Sequence, residues 1–153
     1  MRAALVFLLI AIASLHAQDA PPKAVPVQKE PAVEKRSTAD LEAEVEKNLL
    51  TTPAGAKAML ELIAHYDANG QIFGLIRTAK KFVSAQPAHP QHEPVALQLL
   101  GAYQITSRDS DLIADARQFL TRYPDSSEAS KAERYLAAAL ERTGNRLQAA
   151  QTY

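Results

Sequence analysis

The 153-residue chain contains no cysteine. That absence rules out a disulfide framework, so a stable fold must be held by packing alone. It also removes the thiol to which a bacterial lipoprotein attaches its lipid, and a nucleophile has to be sought among the serines. A surplus of one charge is missing too, because seventeen basic residues balance seventeen acidic ones. No segment gathers enough Lys and Arg to draw in a polyanion, so nucleic acid is not expected as a partner. Glycines number only five, and none is grouped in the loop that cradles phosphates. Ser84, Ser107, Ser110, Ser126 and Ser127 all fall near expected helix ends, where capping accounts for them. The chain is therefore read as a non-enzyme with no cofactor, no catalytic residue and no small-molecule substrate.

A long apolar run occurs in one place, "AALVFLLIAIASL" from Ala3 to Leu15, after Arg2 and before the small residue Ala17. This pattern reads as a secretory signal peptide over 1–17. Thirteen helical residues would cover about 20 Å of a hydrocarbon core roughly 30 Å thick, too little for a spanning anchor. From 18 to 37 the sequence "QDAPPKAVPVQKEPAVEKRS" holds four of the nine prolines and only Val and Ala as apolar content. Such a stretch buries too little to offset its ordering entropy and is expected to be a disordered linker. Export to a bacterial periplasm or cell envelope is the expected location, with the membrane involved only through export.

Beyond residue 38, Gly and Pro serve mainly as punctuation and apolar residues recur at i, i+3, i+4 and i+7, which predicts helices throughout. Met59, Leu62, Ile63 and Tyr66 form one stripe. Ala96, Leu99, Leu100 and Tyr103 repeat it 37 residues later, and Leu136 and Leu140 continue it. A second helix keeps the same interval: Leu75 with Leu112, Ile76 with Ile113, Ala79 with Ala116, Phe82 with Phe119, Pro87 with Pro124. Gly70, Ser107 and Gly144 share one register and predict left-handed turns between paired helices. Asp125 and Glu128 are spaced for a capping box on the helix after Pro124. The expected order is a helix over 38–53 as a degenerate half repeat, then repeats over 54–90, 91–126 and 127–153, the last incomplete.

Paired antiparallel helices with a period in the thirties resemble the tetratricopeptide repeat family, an all-α solenoid. Leu62, Leu99 and Leu136 match the leucine of its first helix, and Tyr66 and Tyr103 its tyrosine. Ala79 and Ala116, Phe82 and Phe119, and Pro87 and Pro124 stand at its second-helix and closing positions. "RQFLTRYPDSSEASKAERYLAAAL" is most similar to the envelope branch, which includes Tol-Pal coordinators and outer-membrane assembly proteins. Two departures stand out: Ile63 and Leu100 occupy a position that is usually Gly or Ala, as at Ala137, and the period is 37 rather than 34.

The resemblance implies a groove lined by the first helices and a protein or peptide as partner. Lys57, Glu61, Ala64 and Asp67 would face it from the first repeat. Gln98, Gly101 and Gln104 would follow from the second, then Arg134, Tyr135, Ala138 and Glu141 from the third. His89 and His92 beside Glu93 are the nearest approach to a metal set, but they lack helical ligand spacing and a fourth ligand, so a plain loop is expected. His65, one turn after Glu61, predicts an exposed contact between the two. The sequence stops within the third repeat's second helix, which would leave Leu136, Leu140, Leu147 and Tyr153 partly uncovered. That end suggests first a fragment of a longer protein, and otherwise a self-association or partner surface or a frayed third repeat. The alternative readings are the repeat region of a longer exported enzyme and a fragment of an outer-membrane assembly factor.

Overall fold

Seven helices follow one another with no strand among the described residues, 36–152 of the computed structural model. They are α1 (Thr38–Lys47), α2 (Pro53–Ala68), α3 (Ile72–Ala85), α4 (His92–Ile105), α5 (Asp109–Arg122), α6 (Ala129–Arg142) and α7 (Arg146–Thr152). The all-helical reading holds. The signal read at 1–17, the linker up to residue 35, and Tyr153 lie outside the described residues.

Local chemistry sets the helix starts. Ser37 caps α1 by accepting from the Asp40 amide, while the Asp40 carboxylate accepts from the Ser37 amide, a reciprocal capping box. Thr52 caps α2 through the Gly55 amide at 3.1 Å, and Pro53 occupies the first helical position, where a missing N–H costs nothing. The box expected at Asp125 and Glu128 is absent. Instead α6 begins after Glu128, whose side chain makes no cap bond, and Ser126 Oγ accepts from the Glu128 amide within the turn.

The hairpin turns repeat atom for atom. The backbone is left-handed at Gly70 (φ 65°), Ser107 (φ 53°) and Gly144 (φ 82°). Around each, the next amide bonds back across the helix end: Gln71 to Tyr66 O at 2.8 Å, Arg108 to Tyr103 O at 3.0 Å, Asn145 to Leu140 O at 2.8 Å. These are three Schellman closures in one register, so the short turns set α2 against α3, α4 against α5 and α6 against α7 as antiparallel pairs.

Packing then joins the pairs. Met59, Leu75, Phe82, Leu99, Leu100, Tyr103, Leu112 and Leu140 are the largest fully buried side chains, drawn from every helix from α2 to α6. α4 lies against α3, α5 and α6, whereas the backbones of α3 and α5 stand apart and meet through long side chains such as Lys80 and Asp111, and the backbones of α2 and α4 stand apart too. The junctions between pairs are tied backward along the array. Gln86 Nε2 donates to Leu50 O at 2.6 Å, and one repeat later the Tyr123 hydroxyl meets His92 Nδ1 at 2.6 Å. Pro87 and Pro124, read as repeat-defining core, are exposed in these junctions, where they end helices rather than fill volume.

The two equivalent tyrosines differ in their partners. The Tyr66 hydroxyl donates to Glu42 of α1 and accepts from Arg77 Nη2 at 3.2 Å. Tyr103 is wholly buried, and its hydroxyl finds no hydrogen-bond partner among the described residues. The sequence explains the contrast, because Ala79 and Ala114 stand 37 residues after Glu42 and Arg77. Burial first, and the nearby Asp115 and Asp111 carboxylates next, push the Tyr103 phenol above the ordinary tyrosine range.

At the far end, Leu136 (6% exposed) and Leu140 (2%) are buried, contrary to the uncovered stripe expected there. α5 and α7 both pack on α6, and Ala149 of α7 is itself buried, so even a short helix covers the stripe. Leu147 alone of the described residues named for that stripe is exposed, at 76%.

Candidate functional site

α2, α4 and α6 carry one face of the array, and a cleft of about 570 Å³ opens on it. Its apolar wall comes from Ile72 and Leu75 of α3, with Pro94, Leu97, Ala102 and Ile105 of α4. Tyr135 of α6 closes one side, its hydroxyl 3.5 Å from where a Cβ on Gly101 would stand. Ile105 is 75% exposed although it belongs to a helix packed on three neighbours. Asp67, Glu93, Glu128 and Lys131 carry the charge, and Gln98 adds an amide.

The elements explain why these residues converge. The buried stripe of α4 runs through Val95, Leu99, Ala102 and Tyr103, so Leu97, Gln98, Gly101 and Ile105 project from other sides of the helix. α6 approaches α4 directly and brings Tyr135 across, while α2 stands off and leaves space. Gly101 keeps that space open, because a larger side chain would enter it.

Of the residues read as groove-lining, the structure brings Asp67, Gln98, Gly101 and Tyr135 together in the cleft. The others are not among its lining. Lys57 lies 3.9 Å from Glu61, whose carboxylate also takes Arg36 at 2.7 Å. Gln104 accepts from Arg142, while Ala64, Arg134 and Glu141 are exposed and Ala138 is half-buried. The sequence reading missed Ile72, Leu75, Glu93, Pro94, Leu97, Ala102, Ile105, Glu128 and Lys131. One signal was available: Leu97 and Ile105 are large apolar residues lying off the repeated stripe.

The histidines go separate ways. His89 stacks edge-on against Phe82 at 5.2 Å, His92 pairs with Tyr123, and the Glu93 carboxylate accepts from the Ser126 hydroxyl. Three side chains within five residues of sequence thus face three different partners. Among the described residues no group of His, Cys, Asp or Glu is arranged to hold a metal ion. His65 bonds Thr38 Oγ1 at 2.8 Å instead of Glu61, because α1 packs on α2 and offers a hydroxyl there.

A second, smaller slot of about 250 Å³ lies between α3 and α5 over α4, with His92 in its lining. Burial first, and the Arg122 guanidinium next, hold the His92 pKa below its ordinary 6.5. The unfolded chain therefore binds the proton more readily than the folded one. This contribution to stability is fully present above about pH 6.5 and is lost as pH falls through that value toward the lower folded pKa. Thermal unfolding followed from about pH 7.5 down to about pH 5 should show a midpoint that falls less steeply in His92→Gln than in the native chain. Parallel slopes would remove His92 from the cause.

No protein-family model matches the chain, and no curated protein matches it. Its architecture is similar to two crystal structures of a proposed kinesin light chain of Podosopora anserina with nearly identical TPR-like repeats, the second a variant form. Both superpose with a TM-score of 0.57, at 20% and 19% sequence identity. The likeness covers 75% of this chain and 61% of each of those, so this chain matches less than two thirds of their length. Paired helices, left-handed closures in one register and this structural likeness together give the chain a TPR-like helical-repeat fold.

Proposed function

We propose that this chain is a non-catalytic protein-binding scaffold that holds an extended segment of a partner in the cleft between α2, α4 and α6. The observation that carries it is the cleft's wall: a row of apolar side chains, with Ile105 three-quarters exposed, on a face that no helix among the described residues covers. Solvent-exposed apolar surface of this kind favours a partner that covers it. The Tyr135 ring supplies a rigid anchor of the type that dominates binding energy at small interfaces. An array in which each repeat touches only its neighbours presents such a surface without disturbing its core.

We also propose that the protein is exported and works in a bacterial periplasm or cell envelope. The support is the run Ala3–Leu15 between Arg2 and Ala17 and the resemblance of Arg117–Leu140 to envelope repeat proteins. Intact mass of the protein from an envelope fraction tests this part; a chain that retains Met1 through Ala17 would overturn it.

The binding reading is tested with Tyr135→Ala combined with Ile105→Ser in an envelope pull-down, with Arg134→Ala as the control. Loss of an anchor should weaken capture by about tenfold or more, while the control keeps its partners. An identical set of partners from the native chain, the double variant and the control would end the cleft reading.

A further inference from the structure

The charges around the cleft have one dominant sign. Asp67, Glu93 and Glu128 line it against Lys131 alone, a surplus of two negative charges in a chain whose total is zero. Elsewhere Glu42 is answered by Arg77, Glu61 and Glu44 by Arg36, Asp109 by Arg142, and Asp111 by Lys80 and Arg108, while Asp40, Glu46, Asp115, Asp125, Glu133 and Glu141 form no ion pair among the described residues; what marks the cleft is that three carboxylates share one apolar lining. None of the three cleft carboxylates has a cationic partner among the described residues, although Lys131 stands one turn from Glu128. Glu93 is held in place by the Ser126 hydroxyl, a neutral donor that leaves its charge unbalanced.

We infer that the cleft selects an extended peptide segment in which aliphatic side chains alternate with Lys or Arg. Aliphatic groups cover Leu97, Ile105 and the Tyr135 ring, and the cations meet Asp67, Glu93 and Glu128. Gln98 and the Tyr135 hydroxyl make no hydrogen bond within the described residues, so both are available to the segment's backbone. An acidic segment meets repulsion at three points of the rim and attraction at one. Complementary charge of this kind raises the association rate and rejects wrong partners more than it adds raw affinity. The inference rests on the cleft being a peptide-binding site and adds the chemical class of the peptide.

The test uses the full chain and three labelled decapeptides: one of Leu, Lys and Pro, a twin with Glu for every Lys, and a twin with Ser for every Leu. By fluorescence anisotropy at about 50 mM salt, the Leu/Lys peptide should bind at least tenfold tighter than the Glu twin. The gap should narrow at about 1 M salt, where the screening length is roughly 3 Å. The Ser twin should bind weakly. Asp67→Lys with Glu128→Gln turns the lining from net negative to net positive and should reverse the preference; circular dichroism confirms the fold of this variant. Gly101→Leu should abolish binding of the Leu/Lys peptide, because the added side chain fills the cleft while removing a helix-interior glycine.

Equal binding of the Lys and Glu peptides, both abolished by Gly101→Leu, would overturn the charge inference and leave the peptide-binding reading standing. No binding by any peptide would overturn both. Binding of the Leu/Lys peptide that neither variant changes would place it elsewhere on the surface and overturn the inference. A dimer of the chain alone, dissociated by Gly101→Leu, would assign the cleft to a second copy and overturn it as well.

Discussion

Phe82→Ala should cost about 3–5 kcal/mol, the usual penalty for emptying an aromatic from a core that collapses only in part. Phe82 is fully buried on α3, which lies between α2 and α4, and His89 rests edge-on against its ring. No disulfide offsets the loss, because the chain has no cysteine. Small domains are stable by only about 5–15 kcal/mol, so the loss takes between about a fifth and all of that margin. A midpoint drop of roughly 10–20 °C is expected, read by circular dichroism at 222 nm. Phe73→Ala is the matched control: Phe73 lies on the same helix but is 71% exposed, and its removal should change stability by less than about 0.5 kcal/mol. Similar midpoints for the two variants would mean that Phe82 does not join the first repeat to the second.

Gly55→Ala should cost about 2 kcal/mol net, and its effect should stay local. A Cβ at Gly55 would lie 2.2 Å from the Leu49 carbonyl oxygen and 2.9 Å from its carbon, backbone atoms that no rotamer change can move aside. Overpacking costs about 1–3 kcal/mol where side chains can adjust. Here the connection between α1 and α2 must shift as a whole, so the upper end of that range is expected, less about 1 kcal/mol of helix propensity gained. Displacing the connection pulls Leu41 and Val45 from their burial and separates Glu42 from Tyr66 and Arg77. Since each repeat is held by its neighbours, hydrogen-exchange protection should fall in α1 and the start of α2 while α4 to α6 keep theirs. Protection lost evenly through α6 would show that the array folds as one unit.

These two sites also show how far the sequence could be read. Phe82 and Phe119 share a register that predicts their roles as inward-facing residues, because an amphipathic helix must turn one side to its neighbour whatever that neighbour is. Gly55 carried no such signal. It looks like one more small residue in "PAGAKA", and only the return of the Leu49 carbonyl onto it explains why a side chain is excluded.

The candidate site divides the same way. Tyr135 and Gly101 follow from repeat position, whereas Ile72 and Leu75 of a second helix enter the cleft because α2 and α4 stand apart. The junction after Pro124 was misread for a related reason. Asp125 and Glu128 have the spacing of a capping box, but Ser126 bonds both the Glu128 amide and Glu93 of the preceding repeat, and the helix begins later.

By itself the sequence determined the helices, their pairing and their period, since caps, left-handed turns and apolar stripes act within a few residues of the chain. The 37-residue register of Gly70, Ser107 and Gly144 is complete in the sequence, and all three take the left-handed backbone it predicts. Only the tertiary structure decided which exposed faces meet in a cleft, which carboxylates there stay unanswered, and that the helices packed on α6, α7 among them, leave Leu136 and Leu140 buried. Those outcomes depend on the distance between helices that are not neighbours in sequence. That distance is set by the summed volumes of the side chains packed between them, which no local pattern encodes.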